Sequence, residues 1–301
     1  MKLEVYRNLW GMSGSRRESI DQLEEAGYDG IEAVLFNDDE ALELKEILPK
    51  KRLFFKAVLW PTGRSVEEQL GSLQIQLARA LPLEPASISV IGGYDGWSDD
   101  EAARYLEGAL KIEARVGLPF SHETHRNSIL FHPGITLRLL KRFPELKLVC
   151  DFSHWVVTSE RLLDEEKEGI RACGRQAAHI HVRVGTEQTP QVPDIRAPEV
   201  APYLRRFERW WEIVWEEQAA RGLAVTSLCP ELGPPPYQAT FPYTGVPLAD
   251  LTEQIEWQRQ RQVSHFGEWV VRNERERART SGNAKNAGEE PARTSENAKN
   301  A

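Results

Sequence analysis

The alternation of short apolar segments with longer amphipathic segments is the feature that most restricts the fold of this chain. The apolar, β-branched segments are predicted to be eight strands, over residues 3–9, 30–35, 53–60, 86–91, 118–124, 146–151, 177–184 and 224–229. Helix-like segments separate them, which predicts parallel strands joined by right-handed crossovers. Eight such units within residues 1–272 predict a closed α/β barrel, the (β/α)8 TIM barrel. An open, doubly wound sheet is the alternative.

The C-terminal residues have a different composition from the barrel. Segment 278–287 (ARTSGNAKNA) returns at 292–301 with Glu296 in place of Gly282. The region has very few bulky apolar side chains, so it buries too little surface to offset the entropy lost on ordering. We therefore predict one barrel domain, 1–272, followed by a disordered low-complexity tail, 273–301.

Composition excludes several classes of protein. The formal net charge of −8 gives no general attraction for a nucleic-acid backbone. Three cysteines in a long chain argue against a disulfide framework and for a reducing compartment. No apolar run approaches the ~20 residues that span a bilayer, and the N-terminus lacks the order of a signal peptide. The expectation is a cytoplasmic protein with no nucleic-acid or membrane partner.

Ionisable residues follow four successive predicted strands. They are Glu123 in Ser-His-Glu-Thr-His, Asp151 with His154 in Asp-Phe-Ser-His-Trp, the pair His179 and His181, and Glu231 in Pro-Glu-Leu-Gly. The carboxyl ends of barrel strands meet at one face, where the active sites of such barrels lie. Carboxylates and imidazoles from four strand ends therefore predict a metal site and an enzyme.

Each of these residues also has a structural interpretation. Burying Glu123 in an apolar strand is costly unless it is paired or ligating. Asp151 alone is equally well explained as a helix cap or turn residue. His179, His181 and Arg183 share one strand face, which is costly without anions or metal nearby. A capping or ion-pairing role is the alternative for Glu231.

The predicted donor set favours a hard divalent cation. Carboxylates with one or two imidazoles suit Mn²⁺, Mg²⁺, Co²⁺, Fe²⁺ or Zn²⁺, and we expect Mn²⁺. His125 and Arg126 follow Glu123 at the rim, where they would bind substrate oxygens, although a solvent-facing role for Arg126 is equally consistent. Trp155, like Trp60 and Trp97, follows a strand and would form a wall against a sugar ring, with core packing as the alternative.

At these residues the chain resembles the xylose isomerase-like TIM-barrel superfamily. The closest pattern is similar to its sugar-phosphate isomerase/epimerase and ketose 3-epimerase branch. The resemblance implies that Glu123, Asp151, His181 and Glu231 are the metal ligands and that His154 contacts substrate. That branch has an arginine six residues after the metal-binding histidine, where this chain has Glu187. Arg183 or Arg126 would then take the role of that arginine in substrate binding, and the substrate would differ from a free ketohexose.

The resulting hypothesis is a metal-dependent isomerase or epimerase of carbohydrate metabolism that acts on a sugar or polyol-like keto substrate. Glu123 and Glu231 would transfer protons on the two faces of the reacting carbon, through an enediolate. The alternatives are a metal-dependent lyase, dehydratase or glycoside-cleaving enzyme, an abasic-site endonuclease, and a non-catalytic barrel. Segment 198–221, with Trp210, Trp211 and Trp215, would pack on the barrel or form a homodimer face.

Overall fold

The eight predicted strands form a closed parallel barrel. The computed structural model describes the backbone of residues 1–286 and the side chains of residues 1–276. Neighbouring strands pair in chain order from β1 to β8, and β8 pairs with β1 to close the barrel. In that last pair Lys2 lies opposite Val225 and Val5 opposite Leu228. This closure confirms the predicted (β/α)8 architecture and excludes the open sheet.

The strands are short and the helices cover them. The strands are β1 Lys2–Asn8, β2 Gly30–Val34, β3 Phe54–Leu59, β4 Ser87–Val90, β5 Phe120–Glu123, β6 Leu148–Cys150, β7 Ala177–His181 and β8 Val225–Cys229. The α-helices are α1 Arg16–Glu25, α2 Asp38–Ile47, α3 Val66–Ala80, α4 Asp99–Val116, α5 Pro133–Arg142, α6 Phe152–Ser159, α7 Lys167–Gln176, α8 Ala201–Ala220 and α9 Leu251–Asn286.

Local sequence fixes where several helices begin. Helices α1, α3 and α4 each start with a Ser-x-x-Glu capping box, in which the serine hydroxyl accepts from the third helical N–H. In α4 the box is Ser98 with Glu101, and Asp99 and Asp100 add negative charge at the positive end of the helix dipole. Helix α4 ends at Gly117, whose φ of 72° is a left-handed conformation that glycine adopts without strain.

Two helices differ from the sequence pattern. A single helix is predicted over residues 159–173, whereas α6 begins directly after β6 and α7 starts only at Lys167. Asp151 makes the early start possible, because its carboxylate accepts from the backbone N–H of Ser153 and caps α6. The aspartate therefore does have the capping role that the sequence left open.

The last helix is predicted over residues 248–271, and in the structure it extends further along the chain. Helix α9 continues to Asn286, through a segment rich in Glu and Arg, which are good helix formers. The predicted tail, 273–301, thus begins inside a helix, and its residues 287–301 lie outside the described part of the chain.

The chain divides between Gln260 and Arg261 into two compact units, and the barrel belongs to the first. Within the described residues no helix is long and apolar enough to cross a membrane.

The tryptophans of α8 are buried. Trp210, Trp211 and Trp215 expose 2% or less of their surface, and the ring of Trp210 contacts Phe152 and Phe207. Helix α8 also packs along α7. These tryptophans therefore have the packing role, and their buried surface is not offered to a second copy of the chain.

Candidate metal-binding active site

Four side chains meet at the carboxyl ends of β5 to β8. Glu123 is the last residue of β5, Asp151 follows β6, His181 ends β7, and Glu231 lies two residues beyond β8. Each offers one ligand atom, and these atoms all lie within 4.8 Å of one another. All four residues are buried. The barrel thus brings together side chains that are spread over more than a hundred positions of the sequence.

The histidine at the centre of this group uses both ring nitrogens. Nδ1 of His181 lies 3.0 Å from Glu231 Oε2 and 3.6 Å from Glu123 Oε1. Its Nε2 points down the barrel and lies 3.2 Å from Glu32 Oε2. Glu32 thus lies where the carboxylate partners of metal-binding histidines commonly lie, although it forms no hydrogen bond with the ring.

Arg183 places a guanidinium among the carboxylates. Its Nη2 lies 2.5 Å from Asp151 Oδ2 and 3.2 Å from Glu231 Oε2, and it donates to His154 Nε2 at 2.7 Å. Only 1% of the arginine side chain is exposed. The other Asp151 oxygen accepts from the Ser153 hydroxyl at 2.6 Å. Both carboxylate oxygens of Asp151 therefore already have a protein partner, so a bound cation would share this carboxylate with Arg183.

Glu123 is the least engaged member of the group. Neither of its carboxylate oxygens accepts a hydrogen bond, although both are buried. Burial raises the pKa of this carboxyl to about 7, against the opposing effect of His181. A buried carboxylate without a donor is costly, and a cation between Glu123 and its neighbours would satisfy it.

The pKa values of His181 and Glu231 are shifted in opposite directions. Burial alone would lower the pKa of His181, but Glu231, Glu123 and Glu32 together raise it well above the ordinary value. Burial alone would raise the pKa of Glu231, but His181 and Arg183 lower it. Asn8 also donates to Glu231 Oε1 at 3.2 Å and holds that carboxylate in place.

These residues fit a hard divalent ion. Three carboxylates and one imidazole nitrogen form a set that suits Mn²⁺, Mg²⁺, Co²⁺, Fe²⁺ or Zn²⁺. The two oxygens of Glu123 and both ring nitrogens of His181 are buried without a hydrogen-bond partner, and they are free donor atoms of the kind that such a site needs. Two further groups among the described residues also bring ligand atoms within 4.8 Å: Glu32, His179 and His181, and Glu123, His125 and His154.

A cavity opens onto this group. Its volume is about 620 Å³, and Glu123, His125, Arg183 and Glu231 line one end. Asp151, His154 and His181 lie behind that surface. Tyr237 closes the side, with its hydroxyl 3.4 Å from His125 Nε2 and the guanidinium of Arg183 4.8 Å from its ring centre. A substrate would therefore meet two carboxylates, one imidazole and one guanidinium.

Not all of the predicted substrate contacts reach the cavity. His125 and Arg183 do. Arg126 instead stacks on Tyr237, 4.8 Å from the ring centre. His154 is buried, 3.9 Å from the ring of His125, and can act only through its neighbours.

The prediction for Trp155 is corrected. This tryptophan is fully buried, and its indole N–H donates to the Leu130 carbonyl at 2.9 Å. Because α6 starts immediately after Asp151, the helix turns the side chain away from the barrel mouth. Trp155 is therefore a packing residue.

Four residues of the site have no predicted role. Glu32 and Lys56 lie mid-strand inside the barrel, with Lys56 Nζ 3.7 Å from Glu32 Oε1. Each could have been found as an ionisable residue in an otherwise apolar strand. Asn8 ends β1, where a polar residue at a strand end gives a weaker signal. Tyr237 lies in a loop, and no periodic pattern marks it.

Comparisons with known proteins show a common architecture. No protein-family model matches the chain, and no curated protein matches it. A xylose isomerase-like TIM barrel/4-hydroxyphenylpyruvate dioxygenase fusion protein is 14% identical, with a TM-score of 0.58 over 92% of this chain and 45% of the fusion protein. An AP endonuclease, family 2, from Brucella melitensis is 16% identical, with a TM-score of 0.54 over 85% of this chain and 97% of that one.

The probable 3-DHS dehydratase AsbF from Bacillus anthracis is 15% identical, with a TM-score of 0.52 over 76% of this chain and 93% of that one. The chain shares the (β/α)8 barrel fold with these three proteins. The predicted resemblance is thereby confirmed at the level of architecture. At such identities a common fold does not carry an activity from one protein to another, and the chemistry has to be argued from the site.

Proposed function

We propose that this chain is a divalent-metal-dependent enzyme that isomerises or epimerises a sugar or polyol-like keto substrate. The observation that carries the proposal is the convergence of Glu123, Asp151, His181 and Glu231 within 4.8 Å, beside a cavity large enough for a small molecule. Two of the four, Glu123 and Glu231, line that cavity. The two carboxylates are thus the groups that can touch both a bound ion and a substrate.

The four converging residues would hold the ion. A bound Mn²⁺ or similar cation would act as a Lewis acid on a carbonyl oxygen and an adjacent hydroxyl of the substrate. His181 Nδ1 would be the ligand atom, because it lies 3.0 Å from Glu231 Oε2 and 3.6 Å from Glu123 Oε1, whereas Nε2 faces Glu32.

Proton transfer falls to the two carboxylates at the cavity surface. Glu231, held by Asn8 and paired with Arg183, is poised as an ionised base. Glu123 has no hydrogen-bond donor and lies in a desolvated position, which suits a carboxyl that exchanges a proton. Two groups on opposite faces of the reacting carbon would invert its configuration through an enediolate, whereas one group acting on adjacent carbons would move the carbonyl.

Substrate orientation falls to His125 and Arg183. Both line the cavity beside the carboxylates, and Tyr237 fixes them from the side. The Arg183 Nη1 is buried and has no hydrogen-bond partner. It therefore remains able to donate to a substrate oxygen.

The proposal is tested by elemental analysis of the purified protein and by deuterium wash-in. The Mn²⁺-loaded enzyme, incubated in D₂O with a panel of ketoses, should place deuterium on the carbon next to the carbonyl. Glu231→Gln should abolish this exchange while keeping most of the bound metal. The matched control Glu253→Gln, at a side chain that is 69% exposed, should exchange normally. Retained exchange in Glu231→Gln would eliminate the two-glutamate scheme.

A dehydratase or lyase is the second candidate. The observation that favours it is the buried cation of Arg183 beside the carboxylates, because a guanidinium at the cavity wall suits a substrate carboxylate. One protein of this fold is a probable dehydratase. Detection of water loss from hydroxy-keto acids, without epimerised product, would favour this reaction over the first.

A further inference from the structure

The mouth of the barrel is divided into two chemically different halves. The ends of β5 to β8 supply the ionisable group described above. The ends of β2, β3 and β4 supply only apolar side chains to the same cavity, namely Ala33, Val34, Val58 and Ile91. A ligand at the barrel mouth therefore meets charge on one side and hydrocarbon on the other. A separate polar stretch of the lining consists of Ser15, Arg16, Ser19, Glu40 and Glu43, in which Arg16 pairs with the two glutamates.

Three aromatic side chains extend the apolar half towards solvent. Trp10, Phe36 and Trp60 all line the cavity and remain 37%, 72% and 37% exposed. Exposed aromatic rings grouped around one cavity are typical of a binding surface. The rings are also held in place: Trp10 packs edge-on against Tyr237 at 5.2 Å, and Trp60 against His125 at 5.1 Å. Trp60 stands at the boundary between the two halves.

The cavity is larger than the reacting group requires. Its volume of about 620 Å³ is in the range that holds a drug-sized ligand. Under the proposed function, the reacting carbons would occupy only the end at Glu123 and Glu231. Part of the remaining volume lies against the apolar half, next to the reacting end, so a second part of the substrate would fill it.

The lining decides which kind of group that second part is. Another sugar ring would bring several hydroxyl groups against Val34, Val58 and Ile91, whose side chains offer no partners for them. Unpaired hydroxyls in an apolar site are costly. A flat apolar ring has no such groups, and it would stack on aromatic side chains.

We infer that the substrate is bipartite, with a polyol part at the carboxylates and an aromatic ring bound between Trp60, Phe36 and the ends of β2 to β4. The inference rests on the proposed function for the position of the reacting part. The apolar half itself is independent of which reaction occurs.

Paired ligands that differ only in the ring test this inference. The Mn²⁺-loaded full-length protein is titrated with 4-nitrophenyl β-D-glucopyranoside and with methyl β-D-glucopyranoside, and binding is measured by calorimetry. Burial of a phenyl-sized group predicts at least about tenfold tighter binding of the nitrophenyl compound. Trp60→Ala should remove most of that preference and leave the affinity for the methyl compound within about twofold.

Phe54→Ala is the matched control. Phe54 begins β3 at the opposite end of the strand and is 49% exposed, whereas Trp60 follows the same strand at the cavity. This variant should keep the full preference. Equal affinity for the two glycosides in the wild-type protein, no detectable binding of either, or an equal loss for both in Trp60→Ala would overturn the inference.

The same titration in Glu231→Gln separates this inference from the proposed function. The preference for the nitrophenyl compound should persist in that variant, because Glu231 lies in the other half of the mouth. Absence of deuterium wash-in from ketoses together with an intact aryl preference would defeat the proposed reaction alone. Normal wash-in without an aryl preference would defeat this inference alone.

Discussion

Arg183 and a bound divalent ion should compensate the same negative charges, and replacing the arginine tests this directly. In the protein without metal, Arg183 is the only guanidinium within 4.0 Å of Asp151 and Glu231 among the described residues. Arg183→Met keeps a long apolar side chain but removes the charge. Because Arg183 and Asp151 are 1% and 0% exposed, solvent does little to screen the loss. We expect the free energy of unfolding to fall by about 3–5 kcal/mol.

Metal should reverse part of this loss. Without the guanidinium, a divalent cation meets less repulsion at Asp151 and Glu231, so the variant should bind Mn²⁺ at least about tenfold more tightly than the wild-type protein. Stabilisation by saturating Mn²⁺ should then be larger in the variant by at least about 1.4 kcal/mol. Urea unfolding with a chelator and with Mn²⁺ measures both effects.

The control for this experiment is an exposed pair of the same chemistry. Arg138 makes two hydrogen bonds to the Asp99 carboxylate, at 2.6 and 2.9 Å, but both side chains are more than half exposed. Arg138→Met should change stability far less than Arg183→Met, and metal should not alter the difference. If Arg183→Met lowers the free energy of unfolding equally with and without Mn²⁺, the arginine and the ion do not act on the same carboxylates.

Four further outcomes are expected. Glu231→Gln should lose turnover by several orders of magnitude yet bind Mn²⁺, as steady-state kinetics and elemental analysis would show. Glu32→Gln should weaken Mn²⁺ binding by about 10–100-fold, measured by calorimetry, because His181 loses the carboxylate beside its Nε2. Burial lowers the pKa of His122 to about 4, so protonation favours the unfolded chain below its usual pKa of 6.5. The protein should therefore lose about 3 kcal/mol through this residue between pH 6.5 and 4, and urea unfolding of His122→Met should show a smaller loss. Trp155→Phe should lower the free energy of unfolding by about 1–3 kcal/mol in the same assay and leave glycoside affinity unchanged. A change in glycoside affinity would instead support the predicted role of Trp155 in substrate binding.

The sequence predicts the barrel because its signal is repeated. Each strand is an apolar run of the right length and each is followed by an amphipathic segment, so an error at one boundary does not change the count. Side-chain alternation also places Glu123 and His181 on the inner face, where the structure has them. The errors occur where a single residue changes the local path. Asp151 starts α6 early, and this moves Trp155 into the core.

The contacts inside the site could not be predicted in the same way. Side-chain alternation places Arg183 on the same strand face as His181. It does not predict that the Arg183 guanidinium contacts Asp151, which follows the neighbouring strand β6. That contact depends on the stagger between β6 and β7, which includes a register shift at Leu148 and Val149. Glu32 meets His181 across the barrel interior, and that distance depends on closure of the whole sheet.

The division of the barrel mouth has a consequence for how proteins of this design can change. The residues proposed to perform the reaction come from the second half of the sequence, 120–231, and the apolar side chains at the ends of β2 to β4 come from the first, 33–91. Alterations to the loops after β2, β3 and β4 would thus retune which molecules are accepted without disturbing the ionisable cluster. Recombination of N-terminal and C-terminal half-barrels would vary selectivity and keep the reaction constant where the incoming half retains Asn8 and Glu32, which contact Glu231 and His181.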